Sequence, residues 1–292
     1  MEKMRAPDRR FLWGMLAPAV FFLFVVTAIP TCYVLYASFS KWSLTKSAFP
    51  QLTGFENYIK LFTDEYFYNS LRVTVIFTVV SLIFEMILGT GIALLLFRQF
   101  KGRAVLRSLI LLPMMVTPAV VGLMWRIMLN SDFGIINYII SVFGGTGPNW
   151  LSSETMAMVS IIMVDVWEWT PFVALSVLAS LQTRSQDQVE GALIDGANTF
   201  QIFRYITYPH IQPILFISGS FRLGALLRWF DTIYVMTSGG PGRSTQNLPM
   251  YIYQTGFYYM NMGYSAALAV ILLILTIFVT YLVVKRSKID EH

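Results

Sequence analysis

The sequence predicts an all-α integral membrane protein with six transmembrane helices. The chain has 292 residues, of which 56% are hydrophobic and 13% are charged, and its mean hydropathy is +0.61. Soluble domains carry about 25% charged residues, so a chain this apolar needs lipid as the solvent for much of its surface. Two further observations support this fold class: six long apolar stretches, and an uneven distribution of lysine and arginine between the connections.

Each of the six stretches is long enough to cross a bilayer, which takes about 20 apolar residues in a helix. The third contains Pro113 and Pro118, and the fifth is interrupted by Arg222, Arg228 and Asp231. The predicted spans are 11–39, 73–97, 106–129, 156–181, 213–236 and 264–284.

Lysine and arginine concentrate in alternate connections, and this orients the spans because cytoplasmic loops are enriched in basic residues. One side holds Lys3, Arg5, Arg9, Arg10, Arg98, Lys101, Arg103, Arg107, Arg184, Arg204, Lys285, Arg286 and Lys288. The other side holds Lys41, Lys46, Lys60, Arg72 and Arg243. Both termini are therefore predicted to be cytoplasmic, as an even number of spans requires, and the chain is expected to be a multi-pass membrane protein.

The predicted domain organisation is a single membrane domain over residues 11–284, between a cytoplasmic N-terminal segment, 1–10, and a cytoplasmic tail, 285–292. The first span is too long for the apolar region of a cleaved signal peptide, so we expect it to be retained. In the first outer connection, Phe55, Tyr58, Ile59 and Phe62 have the spacing of a short helix lying at the membrane interface. The single cysteine, Cys32, excludes a disulfide within the chain.

The motifs of common enzymes are missing. The glycine-rich segment 239–245 lacks the lysine and the spacing of a phosphate-binding loop, and it lies on the predicted outer side, away from ATP. The two histidines, His210 and His292, are far apart in the sequence, so we expect no metal site. The net charge of +5 comes from basic residues concentrated in the predicted cytoplasmic segments, so it indicates membrane orientation and not a nucleic-acid-binding surface. The chain is therefore expected not to be an enzyme and to bind no cofactor of its own.

The longest cytoplasmic connection, residues 182–212, predicts two short helices joined at an angle. Ser185 and Gln188 form a capping-box pattern for the first helix, and Gly196 permits a sharp change of direction. Asn198 or Thr199 can cap the second helix, which Pro209 is expected to end. The first helix is expected to place Val189, Ala192, Leu193 and Ala197 on one face, and the second to point Phe200, Phe203 and Ile206 inward. Such a rigid projection is either a docking element or a stiff connector.

This connection resembles the "EAA" loop of ATP-binding-cassette importer permeases, whose pattern is E-A-A, three residues, G, nine residues and I-x-L-P. Here the motif reads Glu190, Gly191, Ala192, Asp195, Gly196, Ile206 and Pro209 over the same spacing, with Gly191 for the second Ala and Tyr208 for Leu. The segments 54–58, 181–213 and 230–241 are similar to carbohydrate-uptake permeases of the maltose-transporter type, in particular to the first of their two permease subunits.

The resemblance implies the type I importer permease architecture and a place in the cytoplasmic membrane of a prokaryote. It also implies a heterodimer with a second permease subunit, two copies of an ATPase that uses ATP and Mg²⁺, and an external solute-binding protein. The loop at 182–212 would then couple the permease to the ATPase, with Glu190 making a charge-assisted contact there. Stabilisation of the helix N-terminus by Glu190 is the alternative.

Several charged side chains fall inside or near the spans, where each costs about 2.5–3.5 kcal/mol on insertion scales. Arg228 and Asp231 are three residues apart and are expected to pair with each other. Arg126 and Arg222 are candidates to neutralise Glu85 or Asp165 from a neighbouring helix.

Aromatic rings that stack on sugar faces, next to polar groups that reach hydroxyls, are the chemistry expected of a carbohydrate pathway. The candidates are Asp165, Glu168, Trp167, Trp169, Trp229 and Tyr234. The aromatic belt and ordinary helix packing are the alternatives for these rings.

Two other functions compete with an ATP-driven importer of a sugar or sugar-like solute. An ion-coupled secondary transporter would usually show repeated halves with matching broken helices, which the sequence does not show. An intramembrane hydrolase acting through Asp165 and Glu168 would leave the cytoplasmic projection unexplained.

Overall fold

The computed structural model describes residues 6–47 and 49–287. Lys3, Arg5, Lys288 and His292 lie outside these residues. The described chain is almost entirely helical and divides into two compact units: residues up to 64 with 252–273, and residues 65–251 with the chain from 274 onward. The prediction of one membrane domain over 11–284 stays a prediction, and each unit is described by itself.

The helices follow the apolar stretches of the sequence and the connections between them. In chain order they are α1 (Ala6–Ser38), α2 (Glu56–Leu61), α3 (Glu65–Phe97), α4 (Arg103–Leu111), α5 (Pro118–Met128), α6 (Ile135–Val142), α7 (Glu154–Gln182), α8 (Gln186–Ile194), α9 (Thr199–Ile202), α10 (Tyr208–Leu226), α11 (Asp231–Met236), α12 (Leu248–Tyr253) and α13 (Met262–Ser287). Strands β1 (Ser40–Lys41) and β2 (Gln51–Leu52) pair antiparallel.

Four helices of the described chain are long and apolar enough to cross a membrane: residues 14–38 of α1, all of α3, all of α7 and residues 262–283 of α13. They correspond to the first, second, fourth and sixth predicted spans. The interfacial helix predicted from residues 55–62 is α2, whose neighbours Phe55 and Phe62 are largely exposed.

The third predicted span is divided. Helix α4 ends at Leu111, a single 3₁₀ turn covers Pro113–Met115, Val116 and Thr117 are extended, and α5 begins at Pro118. Proline has no N–H to donate to the helix, and Pro118 also favours the extended conformation that Thr117 adopts before it. Leu112 before Pro113 keeps a helical conformation, so the chain tightens into the 3₁₀ turn there and leaves the helix only at Val116 and Thr117. The shorter apolar helix α5 is what remains of the C-terminal half of this span.

The fifth predicted span is divided as well, but at a place that the sequence did not indicate. Helix α10 ends at Leu226, residues 227–230 are not helical, and α11 begins at Asp231. The expectation that Pro209 ends the preceding helix is wrong. Pro209 lies in the first turn of α10, directly after a π-helical turn, Phe203–Thr207, and the helix continues through it.

The larger unit is built on α3, α7 and α10. Two apolar clusters hold it together: one around Phe77, Val164 and Trp229, and one around Leu96, Val177 and Ile211. Gly89 of α3 allows the close approach of α7, because a Cβ at this position would lie 2.6 Å from Cβ of Val173. Small residues at helix crossings are the usual means of close packing in membranes.

In the smaller unit, polar contacts connect α2 and the residues that follow it to the start of α13. The Tyr264 hydroxyl donates to the Asp64 carboxylate, and the Lys60 ammonium lies 4.5 Å from the centre of the Tyr264 ring. The Asn57 side chain donates to the carbonyl oxygens of Ser38 and Ser40, each at 2.9 Å, which fixes the turn between α1 and β1.

Candidate functional site

The predicted cytoplasmic projection is present as two helices, α8 and α9, joined by a tight bend. Gly196 has φ of +82°, in the left-handed region that favours glycine. The Gly196 N–H donates to the Leu193 carbonyl oxygen at 3.1 Å, and the Ala197 N–H donates to that of Ala192 at 2.9 Å. These two bonds form a Schellman motif, which ends α8 and explains why the change of direction predicted at Gly196 occurs there.

The second helix of the projection starts with a complete capping box. The Gln201 N–H donates to Oδ1 of Asn198 at 2.9 Å, and the Asn198 N–H donates to Oε1 of Gln201 at 2.8 Å. The alternative predicted cap, Thr199, is the first residue of α9. The capping box predicted at Ser185 and Gln188 is wrong, because Ser185 occupies the N-cap position of α8 without a side-chain hydrogen bond.

The projection exposes more apolar surface than the sequence indicated. Val189, Ala192 and Ala197 are half-buried as expected, and so are Phe203 and Ile206. The inward placement expected for Leu193 and Phe200 is wrong, because both are exposed. Ile194, which the sequence analysis missed, is 86% exposed, and Tyr205, in the π-helical turn after α9, is exposed as well.

The other residues of the motif lie along the same segment. Glu190 is exposed on α8, Gly191 is half-buried next to it, and Asp195 is the exposed C-cap of the helix. Pro209 is exposed in the first turn of α10.

The base of the projection is fastened to the end of α7. Nη1 of Arg184 donates to the Thr207 hydroxyl at 2.6 Å, and its guanidinium lies 5.2 Å from the centre of the Phe97 ring. Partial burial lowers the pKa of the Arg184 side chain from its ordinary value. Nε2 of His210 lies 2.8 Å from the Ser180 carbonyl oxygen. These contacts make the projection a stiff extension of α7 and α10.

The buried charges of the larger unit form one cluster centred on Arg222. Its Nε and Nη2 atoms donate to the Glu85 carboxylate at 2.7 and 2.6 Å, and Nη2 also donates to Oδ1 of Asp165 at 3.1 Å. All three side chains are fully buried. The predicted neutralisation of Glu85 and Asp165 by Arg222 is therefore confirmed, and the cluster links α10 to both α3 and α7.

Two of the candidate tryptophans pack on this cluster. The Arg222 guanidinium lies 4.5 Å from the centre of the Trp169 ring and 5.7 Å from that of Trp229. The two rings meet edge to face with centres 6.0 Å apart. Asp165, Glu168 and Trp229 are at most 8% exposed, so these candidates lie inside the unit.

The remaining two candidates lie elsewhere. Trp167 lines an apolar cavity of about 830 Å³ between α3, α4 and α7, and its ring meets that of Trp125 at 5.4 Å. Tyr234 is 41% exposed on α11 and stacks on Phe230 with ring centres 5.4 Å apart. The six predicted residues therefore do not form a single surface.

The predicted pair between Arg228 and Asp231 is wrong. Nε of Arg228 donates to the Gly224 carbonyl oxygen at 3.0 Å, and no ion pair joins Arg228 or Asp231 to any residue that the structure describes. Arg126 also turns away from the buried acids, because its Nη1 donates to the Val235 carbonyl oxygen at 3.0 Å. Each of these arginines satisfies a carbonyl near a helix end instead.

The family model and the relatives similar to this chain agree on one protein family. Residues 85–287 match the family described as "Binding-protein-dependent transport system inner membrane component". The chain is 40% identical over 253 residues to a probable ABC transporter permease protein, y4oQ, of Sinorhizobium fredii, with 86% of this chain and 82% of the relative covered. It is 34% identical over 294 residues to the trehalose/maltose transport system permease protein MalF of Thermococcus litoralis, covering 99% and 98% of the two chains.

The fold matches a solved transporter. A chain of a bacterial ABC transporter involved in the import of the acidic polysaccharide alginate superimposes with a TM-score of 0.85 at 21% identity, over 97% of this chain and 96% of that chain. This chain therefore belongs to the family of binding-protein-dependent transport system inner membrane components, and it is a multi-pass transport subunit with the type I ABC importer permease fold rather than an enzyme.

Proposed function

We propose that this chain is one of two different permease subunits of an importer that moves a sugar or sugar-like solute into the cytoplasm by alternating access. Two copies of a separate ATPase hydrolyse ATP with Mg²⁺ and drive the cycle, and an external binding protein delivers the cargo. The permease itself holds no nucleotide. The ion-coupled alternative lacks support, since family and fold both belong to binding-protein-dependent transport.

The proposed cargo class rests on the relatives and on the aromatic character of the membrane region. The relative similar over nearly the whole chain is named for trehalose and maltose, and the solved transporter of the same fold imports a polysaccharide. Carbohydrate sites use aromatic rings against C–H faces and polar groups against hydroxyls. We therefore assign a carbohydrate, without choosing among mono- and oligosaccharides.

The observation that supports the ATP-driven mechanism is the shape of the projection formed by α8 and α9. Its bend is fixed by Gly196, its second helix by the Asn198 capping box, and its base by Arg184. Ile194 and Phe200, 86% and 73% exposed, are apolar residues at its tip. A rigid tip with exposed apolar side chains is suited to a cleft of the ATPase, and Glu190 adds a charge-assisted contact.

The proposed orientation places this projection and both termini in the cytoplasm of a prokaryotic cell. The basic residues Arg98, Lys101 and Arg107 follow the end of α3, on the same side as Arg184, whose guanidinium lies 5.2 Å from the centre of the Phe97 ring at that helix end. That enrichment is the one expected for cytoplasmic connections. In this orientation α2 and α6 lie on the external side of the membrane, where the binding protein docks.

Substitutions in the projection test the coupling role in proteoliposomes that contain the complete transporter, with ATP inside and loaded binding protein outside. Gly196→Pro cannot adopt the left-handed conformation, and Glu190→Lys reverses the contact charge. Both are expected to reduce the rate of sugar uptake at least tenfold below wild type, while the protein still inserts into the membrane and ATP is still hydrolysed.

Gly191→Ala is the matched control. Gly191 lies in the same helix without a positive φ, and a Cβ there would meet no atom within 4 Å. This variant should transport at the wild-type rate. Uptake at the wild-type rate by Gly196→Pro, or uptake that persists with a non-hydrolysable ATP analogue, would contradict the proposed mechanism.

A further inference from the structure

The two broken spans of the larger unit are broken side by side. The Thr232 hydroxyl, one residue into α11, donates to the carbonyl oxygen of Pro118, the first residue of α5, at 3.4 Å. A Cβ at Gly122 would lie 3.1 Å from Cβ of Val235, so the two short helices are in close contact. The segments that precede them and interrupt the α-helices, 112–117 and 227–230, are therefore neighbours.

This pair of breaks lies near the middle of the bilayer. Trp229, in the second break, touches Trp169, and Arg222, one turn before that break, is bonded to Asp165. Trp169 and Asp165 are both close to the middle of α7, which is long enough to cross the membrane. The breaks thus lie at the depth where lipid chains would be the only solvent on an outward-facing surface.

The surface at the breaks is chemically unsuited to lipid. Met115 and Thr117 of the first break are exposed, so the non-helical backbone between them is uncovered by this chain. Arg228 and Asp231 are exposed beside the second break. Irregular backbone and charged side chains at membrane depth are tolerated where they are buried in protein or line a water-filled cavity.

The same surface has the groups that a sugar needs. Arg228 uses Nε for the Gly224 carbonyl and has no carboxylate partner among the described residues, which leaves its terminal nitrogens as donors. Asp231 provides acceptor oxygens without an ion pair in the described chain. Tyr234, one turn further along α11, presents a half-exposed ring backed by Phe230.

We propose that Arg228, Asp231 and Tyr234 form the cargo-contact surface of this subunit at the paired helix breaks, binding sugar hydroxyls through the two charged side chains and a sugar face through the ring. This assignment rests on the proposed function. It replaces the buried candidates Asp165, Glu168 and Trp229 and the half-buried Trp169, which instead support the surface from behind.

The first test asks whether the surface faces water. Cys32 is the only cysteine, so Cys32→Ser provides a thiol-free background for Arg228→Cys, Asp231→Cys and, as an apolar control on α13, Ile277→Cys, which is 60% exposed. A charged, membrane-impermeant thiol reagent is applied to the assembled transporter from both sides of the membrane. We expect the first two variants to react at least ten times faster than the control. Equally slow reaction of all three would overturn the proposal and would indicate that a partner subunit covers the surface.

The second test asks whether the surface selects cargo. Uptake of radiolabelled trehalose and of maltose is measured with Arg228→Lys, Asp231→Asn and the exposed control Arg98→Gln, in the complete transporter with its binding protein. The first two are expected to change the ratio of trehalose to maltose uptake at least about fivefold, because a site that hydrogen-bonds hydroxyls discriminates between arrangements of hydroxyls. Arg98→Gln should leave the ratio unchanged, and an unchanged ratio in all three variants would overturn the proposal.

The two tests separate this proposal from the proposed function. Coupling-loop variants lower the uptake of both sugars by the same factor, so they do not imitate a change of ratio. If the wild-type transporter moved neither sugar, trehalose and maltose would be excluded as cargo, while the labelling rates would still decide whether the surface lines the pathway.

Discussion

At the scale of single residues, Arg222 is the side chain on which the larger unit depends. It is fully buried, yet it is paired with Glu85 and Asp165 and flanked by the Trp169 and Trp229 rings. A buried charge without such partners would cost several kcal/mol. The three charged groups come from three helices, so the cluster fixes how α3, α7 and α10 are arranged.

Removal of the arginine alone should destabilise the protein strongly. In Arg222→Met the Glu85 and Asp165 carboxylates remain buried without a cation, at an expected cost of about 3–5 kcal/mol. Thermal unfolding in detergent, followed by intrinsic tryptophan fluorescence, should show a clear fall of Tm. The triple variant with Glu85→Gln and Asp165→Asn should recover part of that loss, because it removes the unpaired charges.

The exposed arginine Arg107 provides the matched control for this experiment. Arg107→Met should change the free energy of unfolding by about 0.5 kcal/mol or less, as surface substitutions usually do. A Tm of Arg222→Met equal to that of wild type would show that the cluster does not hold the helices together.

At the scale of elements, α3 approaches α7 closely at Gly89. Gly89 lies against Val173 and the backbone N of Ala174, whereas Gly91, two residues further along the same helix, has open space where its Cβ would be. A glycine-to-alanine substitution at each of the two positions therefore separates the effect of helix packing on stability from the effect of helix propensity.

Gly89→Ala is expected to force α3 away from α7 and to destabilise the protein by about 1–3 kcal/mol, the usual cost of overpacking. Gly91→Ala is expected to be neutral or to stabilise by up to about 1 kcal/mol, since alanine is the better helix former. The measurement is the Tm of each variant in the same detergent. Equal effects of the two substitutions would mean that helices α3 and α7 adjust freely at this crossing.

The elements also show where sequence reasoning succeeds. The bend at Gly196 and the cap at Asn198 depend on residues within one turn of each other, so their spacing predicts them. Pro113 and Pro118 mark the break in the third span, whereas the apolar composition of 106–129 by itself predicts one continuous helix. The break at 227–230 contains neither glycine nor proline, and only its packing against α5 and Trp169 accounts for it.

At the scale of the whole molecule, the chain is a transport subunit that requires other proteins for its activity. The family is defined by dependence on a binding protein. The stiff projection with exposed Ile194 and Phe200 is the surface we assign to the ATPase. An apolar stretch of 18 residues within 14–38 of α1 contains no residue that the described part of the chain buries, so lipid or another subunit must cover it in the assembled transporter.

The assignment of sides is tested on intact cells. A variant with Cys32→Ser and Glu190→Cys should react with a membrane-permeant thiol reagent and not with an impermeant one, because the projection is assigned to the cytoplasm. The same protein should co-purify with an ATPase and a second permease. Reaction of this cysteine with the impermeant reagent would contradict the orientation and, with it, the coupling role of the loop.

The amino-acid sequence was sufficient for the features that depend on neighbouring residues or on average polarity. These include the four continuous helices long and apolar enough to cross a membrane, the short helix α2, the bend between α8 and α9, and the family resemblance that comparison with relatives then confirmed. Each is set by apolar length, by helical spacing or by a short motif, and such signals are readable without knowing what lies on the far side of a helix.

The tertiary structure was needed wherever the partner is distant in the chain. Arg222 pairs with Glu85 across 137 positions and with Asp165 across 57. Arg228 and Asp231, although close in sequence, form no ion pair with each other or with another described residue. It also showed which aromatic residues are buried and that the two broken spans meet. A helix presents several polar faces of similar composition, and only the packing of other helices decides which face is covered and which remains open.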